Sequence, residues 1–357
     1  MEDFRLIVVG PEPGNRCGIT DYIYRLLPAL EAQASVVYRN YSEALEEVKT
    51  GRYAALLVHY ERSLVPNPNT LRVLGNSHPG MFVVPHEVYE EDPFAFRRSE
   101  LKPIPGLFWA QKGFYRWRHR AYSQEVDLQN QGYYARGIFP LNQPAFDILN
   151  KRHLGALCSP IHLASFPPLK PPSPPELRNS LFPNSHPQRI LGIFGFLTAT
   201  NDYGMVLDTL TLNENMALLV LGGERLRQGL EARFQAEVRI RGLSERVILT
   251  GFIPEEELHA YLMVPDAFVF PARFKSSSGS LLRLFHLGKT IFATDLPLTR
   301  DVAKQGGPLH LFRNPKEFQA LIQQWRKGSL ALSPNNYPYT LEFVAQAYVK
   351  AMCQSLA

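Results

Sequence analysis

Three cysteines in 357 residues, Cys17, Cys158 and Cys353, are too few and too widely spaced for a disulfide framework or a cysteine metal cluster, and their number is odd. A reducing, cytoplasmic setting is expected. No apolar run approaches the roughly 18 to 20 residues that cross a bilayer, and nothing repeats at a fixed period of about 20 to 50 residues. The expectation is a soluble chain, not a solenoid, that can still touch a membrane. The opening MEDFRLIVVGPEP has no basic flank leading into a long apolar stretch and no small-residue cleavage site, so it reads as a strand and not as a secretory signal. Neither sign of charge dominates: 38 Lys and Arg against 33 Asp and Glu leave a net charge of +5. That permits an anionic substrate, a phospholipid surface or nucleic acid without selecting among them.

What is present is an ordinary globular composition, 45% hydrophobic and 20% charged, in a length that suits two domains of roughly 150 residues each. Short apolar runs at Leu6 to Val9, Ala54 to Val58, Phe82 to Val84 and, more weakly, Gly137 to Phe139 predict buried parallel strands, each closed by a polar or glycine-bearing loop. Helical stretches alternate with them: TDYIYRLLPALEAQ, in which Pro28 is expected to cause a kink, and SEALEEVKT. From Phe166 to Pro187, eight prolines and no apolar period predict an extended linker. RILGIFGF, ALLVLGG, RVILTGF, AFVFPA and TIFATD then predict a second parallel sheet, and YTLEFVAQAYVKAM a closing amphipathic helix. The fold class is α/β, with domains over 1–165 and 188–335, a linker over 166–187, and a helix over 336–357 returning to the first domain.

The segment GNRCGITDYIYRL resembles the opening of a bacterial family-4 glycosyltransferase. The run from Leu218 to Arg273, with its strand, glycine turn, long helix, RVILTGFIP and short helix before PDAFVFP, resembles the donor domain of that family, and SSSGSLLRLFHLGKTIFATDLPLTRDV continues it. The resemblance implies the GT-B fold, two Rossmann-like domains with parallel sheets facing across a cleft. It also implies a nucleotide-diphosphate-sugar donor held mainly by the second domain, a hydroxyl acceptor, no metal, no covalently bound cofactor, and retention of the donor's anomeric configuration.

Candidate donor contacts follow. Gly18 would let the backbone approach the donor phosphate, or would simply make a tight turn. Ser276, Ser277, Ser278, Gly279 and Ser280 would cradle a phosphate with amides and hydroxyls, aided by Arg273, Lys275 and Lys289; the alternative is a serine-capped helix on a polar loop. The family places one glutamate before this helix and a second acidic residue within it, and those places hold Lys275 and Arg283. The family also carries Arg or Lys after the first donor-domain strand. Here FGFLTATNDYG supplies the candidate contact Gly195, with Phe196, Leu197, Asn201 and Tyr203 but no cation. A charge swap is one reading, with Lys275 and Arg283 neutralising the diphosphate from the helix side; two solvated charges are the other.

In the first half, His59 in LLVHYE and His86 in VVPHEVY each follow a predicted strand and are expected to point into the cleft, His86 resembling the family's histidine near the transferred sugar. Glu87 and Glu61 would orient an acceptor hydroxyl or take its proton. Structural, hydrogen-bonded histidines are the alternative. His162 stands near the place of the family's PHG turn, without its glycine.

Finally, Phe108, Trp109, Phe114, Tyr115 and Trp117 interleave with Lys112, Arg116, Arg118 and Arg120. That mixture suits an anionic bilayer surface at the inner face of a membrane, a glycan acceptor, or a buried aromatic helix with a solvated basic face. No nucleic-acid-binding motif accompanies it. The expected function is glycosyl transfer to a glycan, lipid or small molecule; the alternative is a catalytically degenerate GT-B protein that scaffolds a protein partner.

Overall fold

A computed structural model describes residues 4–12, 17–65, 67, 69–89, 124–152, 156–166, 176–224 and 229–357. Packing divides the chain into two units: residues up to Ala164 together with Tyr339–Ala357, and Ser165–Pro338.

The first unit is built on β1 (Arg5–Gly10), β2 (Ser35–Asn40), β3 (Ala55–Tyr60), β4 (Met81–Pro85) and β5 (Gly137–Ile138), all parallel, in the order β2-β1-β3-β4-β5. Helices α1 (Gly18–Glu31), α2 (Tyr41–Glu47), α3 (Thr70–Ser77), α4 (Gln124–Tyr134) and α5 (Gln143–Lys151) make the connections. Every residue of β3 and β4 is buried, as an inner parallel strand covered on both faces requires. The edge strand β2, SVVYRN, is half-exposed and has no long apolar run to announce it. Asn40 ends it and starts α2, accepting from the amides of Ser42 and Glu43 while Glu43 returns a bond to the Asn40 amide. α1 continues past Pro28 to Glu31, one turn beyond it, although the proline has no N–H to give the Tyr24 carbonyl.

The second unit has β6 (Arg189–Phe194), β7 (Met216–Leu221), β8 (Val247–Leu249), β9 (Ala267–Phe270), β10 (Thr290–Thr294) and β11 (Leu309–Phe312), again parallel, in the order β11-β10-β9-β6-β7-β8. Its helices are α6 (Glu176–Leu181), α7 (Tyr203–Thr211), α8 (Leu230–Ile240), α9 (Glu255–Met263), α10 (Gly279–Arg283), α11 (Pro297–Lys304) and α12 (Pro315–Arg326). Phe292 gathers the rings of Phe318 and Trp325 edge-on at about 6 Å in the core. Strand order reverses between β1 and β3 in the first unit and between β6 and β9 in the second, and open parallel sheets bind ligands beyond the carboxyl ends of their strands at such points.

The last helix, α13 (Leu341–Leu356), packs on α1 and so completes the first unit. Val344, Ala345, Tyr348, Val349 and Met352 form its buried face, at helical spacing. The Tyr348 ring meets Phe139 edge-on at 5.3 Å, and Arg136, ahead of β5, donates to the Ser355 carbonyl. Tyr348→Ala should therefore destabilise the first unit by roughly 3–5 kcal/mol, measured as an earlier unfolding transition in urea; a midpoint equal to wild type would mean that α13 is not part of that core.

Candidate functional site

In the second unit three backbone segments meet just beyond the strand ends. Gly195, Gly222 and Gly251 follow β6, β7 and β8 with φ of 121°, 139° and 70°, a region side-chain-bearing residues rarely adopt. A Cβ on Gly222 would overlap the Gly195 carbonyl, so those chains touch only because residue 222 is glycine. The Gly195 amide donates to Leu221 at 3.0 Å and the Leu197 amide to Gly223 at 3.0 Å, continuing the β6–β7 ladder past the strands. Across the switch point the loop after β6 is laced to the loop after β9: Asp202 N donates to Pro271 O and Arg273 N to Thr200 O, each at 2.7 Å. The Tyr203 hydroxyl accepts from Thr198 N and Asn201 Nδ2, both at 3.0 Å, and pins the loop from inside.

This lacing brings the serine loop to Gly195. A Cβ on Gly195 would lie 3.1 Å from Ser280 Oγ, so two of the sequence-derived donor contacts are neighbours. α10 starts at Gly279, which places Gly279 and Ser280 inside the helix and not ahead of it. Ser278 caps it, accepting from Leu281 N at 3.3 Å while its hydroxyl also bonds that of Ser280 at 3.1 Å. Ser276 and Ser278 are buried, whereas Ser277 is half-buried.

The charges differ from the sequence expectation. Arg283 is not a solvated helix charge. Its guanidinium makes a two-pronged pair with Glu255, the first residue of α9, at 3.1 Å and 2.5 Å, and lies over the rings of Phe166 and Phe194 at 5.6 Å and 5.7 Å. Glu255 was invisible as a site residue in the sequence: it is 28 positions from Arg283, in a run of three glutamates. Lys275 is half-buried on the loop after β9. Arg273 is exposed and pairs with Asp202 at 3.4 Å. Lys289 does not add charge to the serine loop. It precedes β10, at the amino end of the parallel sheet, where its ammonium donates to the carbonyls of Met263 and Pro265; burial lowers its pKa to about 8.

In the first unit, Gly18 opens α1, exposed, and a Cβ there would meet nothing within 4 Å. At Gly10, which ends β1, a Cβ would meet Ile23 Cδ1 of α1 at 2.5 Å, so that side chain would have to shift for any larger residue. His59 does not follow a strand but lies within β3, fully buried between Tyr22 of α1 and Tyr348 of α13, each ring edge-on at 6.3 Å. His86 follows β4 and is 6% exposed. The two rings are joined by a hydrogen bond, His59 Nδ1 to His86 Nε2 at 3.0 Å. Glu87 is half-buried beside His86, Glu61 follows β3 and accepts from the Ser63 hydroxyl, and His162 stacks on Tyr339 at 4.4 Å. The aromatic and basic stretch from Phe108 to Arg120 lies outside the described residues.

Burial pushes the His59 pKa well below its usual value, helped by His86, and takes His86 down to about 3. A neutral pair consistent with these values has one ring donating to the other. In the unfolded chain both titrate near 6.5, so the unfolded state binds more protons below that pH. The pair's stabilisation is thus complete above about 6.5 and is lost as pH falls toward 3, with a slope of up to about 1.4 kcal/mol per pH unit for each ring. Urea unfolding at pH 7 and pH 5 should show this loss, and a His59→Asn, His86→Asn variant should show a shallower pH slope; an unchanged slope would refute a pair held neutral by burial.

Residues 191–327 match the family model described as Glycosyl transferases group 1. No curated protein matches the chain by sequence. Among solved structures, HepE of Anabaena in complex with UDP and glucose is similar over 98% of this chain and 100% of its own, at 11% identity and a TM-score of 0.71. The sucrose-phosphate synthase of Thermosynechococcus elongatus is similar over 98% of both chains, at 12% identity and a TM-score of 0.68. The lipopolysaccharide outer core galactosyltransferase WaaB, in its apo form, covers 98% of this chain and 99% of its own, at 12% identity and a TM-score of 0.62. With its two parallel-sheet Rossmann-like units this chain has the GT-B fold, and within it residues 191–327 match the model of glycosyl transferases group 1.

Proposed function

We propose that this protein transfers a sugar from a nucleoside-diphosphate sugar to a hydroxyl of a glycan, lipid or small-molecule acceptor. The observation that carries the reading is the convergence of Gly195 and the Ser278–Ser280 turn at the β6/β9 switch point, inside the region matched by the family model. The Gly279 and Ser280 amides that open α10 have no intrahelical acceptor, and the Ser277 and Ser278 hydroxyls stand beside them; together they suit phosphate oxygens. HepE was crystallised with UDP and glucose, which makes a uridine donor the first to try. Retention is carried over from the family resemblance alone.

In the reaction the bond from the anomeric carbon to the diphosphate breaks, its electron pair leaving with the nucleoside diphosphate, while the acceptor oxygen bonds to that carbon and gives up its proton. Lys275 and Arg283 supply counter-charge to the departing diphosphate, Arg283 sharing its charge with Glu255. Of the first unit's groups, Glu87 takes the proton and His86, held by its hydrogen bond to His59, positions the sugar. His59, fully buried, acts only through His86.

A second reading, a catalytically degenerate GT-B protein serving a partner, is favoured by one observation: the cation nearest the helix side of the site is already neutralised by a carboxylate. A thermal-shift panel of UDP-, GDP- and ADP-sugars separates the two. A donor at about 100 times its dissociation constant adds roughly 2.7 kcal/mol of stability, so one nucleotide class should raise the melting temperature; no shift with any class supports the degenerate protein. With the stabilising nucleotide, Lys275→Ala, Arg283→Ala should weaken nucleoside-diphosphate binding by at least about tenfold in calorimetry, and affinity equal to wild type would eliminate the counter-charge role.

A further inference from the structure

At the opposite end of the second unit's sheet lies a surface cavity of about 450 Å3, lined by Gln188, Arg189, Gln323, Arg326 and Lys327. Arg189 opens β6, so the cavity sits at the amino ends of the parallel strands. Six residues of strand, about 20 Å, separate it from Gly195 and the serine turn. Its volume falls within the range of sites that take small molecules, roughly 300–1,000 Å3.

Two of the cavity's cations are held by neutral groups. The Arg189 guanidinium lies 5.5 Å from the centre of the Trp325 ring. Arg326 donates to Asn213 Oδ1 at 2.5 Å, and Gln323 Nε2 donates to the same oxygen at 3.2 Å. Among the described residues no carboxylate forms an ion pair with Arg189, Arg326 or Lys327, and none lines the cavity. Arg178, near the same end, is by contrast paired with Asp266 at 2.9 Å. The carbonyl end of α12 attracts cations and accounts for Arg326 and Lys327. It does not account for Arg189, which arrives from another element, or for the two amides. Three like charges converging on one concavity focus a positive potential there, and guanidinium forks match phosphate oxygens two at a time.

We infer that this cavity is a second anion site, which takes a small phosphorylated ligand bearing at least two negative charges, bound by Arg189, Arg326 and Lys327 with Gln188 and Gln323 meeting its remaining oxygens. The site is separate from the donor region and does not rest on the glycosyl-transfer reading.

Inorganic pyrophosphate titrated calorimetrically into the full chain, with no nucleotide present and at physiological salt, is the test. Wild type should bind at least one equivalent. Arg189 and Lys327 are exposed, so an Arg189→Gln, Lys327→Gln variant should keep its fold and its urea midpoint and bind at least about tenfold more weakly. Lys304→Gln, an exposed charge away from the cavity on α11, should bind like wild type. Wild type that takes up no pyrophosphate, a double variant as tight as wild type, or an equal loss in Lys304→Gln would each overturn the site.

Discussion

The second unit depends on two backbones being allowed to touch. The carbonyl of Gly195 occupies the space that any side chain on Gly222 would need, and both residues hold φ values that suit glycine. That contact carries the β6–β7 hydrogen bonding beyond the strands and seats the loop after β6 against the loop after β9. The serine turn, the cap of α10 and the approach of Ser280 to Gly195 are built on this floor. A methyl group at either glycine would move the floor before it altered any polar group standing on it.

Electrostatics on that floor are more balanced than the sequence implied. Arg283 lies where the family resemblance implies an acid, yet Glu255 comes across from α9 and returns a carboxylate to the same neighbourhood. The local net charge of the pair is zero. With two aromatic faces against the guanidinium, the arginine is fixed in direction and its partner is fixed with it. The first unit meets the same problem in another way. His59 and His86 are placed among apolar strands and tyrosine rings, where a charge would be costly, and they remain neutral and share one hydrogen bond, while His59 Nε2 stays buried without a partner among the described residues.

Much of the fold was legible because inner parallel strands are continuous apolar runs: β1, β3, β4, β6, β7, β9 and β10 all carry that signal. β2 and β11 lie at sheet edges, with half-exposed residues such as Val36 and His310, and edge strands lose the run that announces them. The serine turn and Gly195 were legible through glycine, serine and family resemblance, since the chemistry of a tight approach is local. The partner of Arg283 was not, because an ion pair 28 residues apart leaves no periodic trace. Lys289 misled through proximity in sequence: between Ser280 and Lys289 the chain runs through α10 and turns at Gly288, which carries it to the other end of the sheet. His59 misled by one register step, since a residue inside a strand faces the core and one just beyond it does not.

The packing of α13 on α1 makes the first unit discontinuous: the chain leaves it after Ala164, builds the whole of the second unit, and returns at Tyr339. During synthesis the second unit is therefore complete while the first still has the α1 face that receives Val344, Tyr348 and Met352 open to water. A ribosome pausing late in the message would hold a finished second unit while the first is still half-closed. Chaperone capture and proteolysis during synthesis should concentrate on the first unit for that reason, although it is the first to be translated.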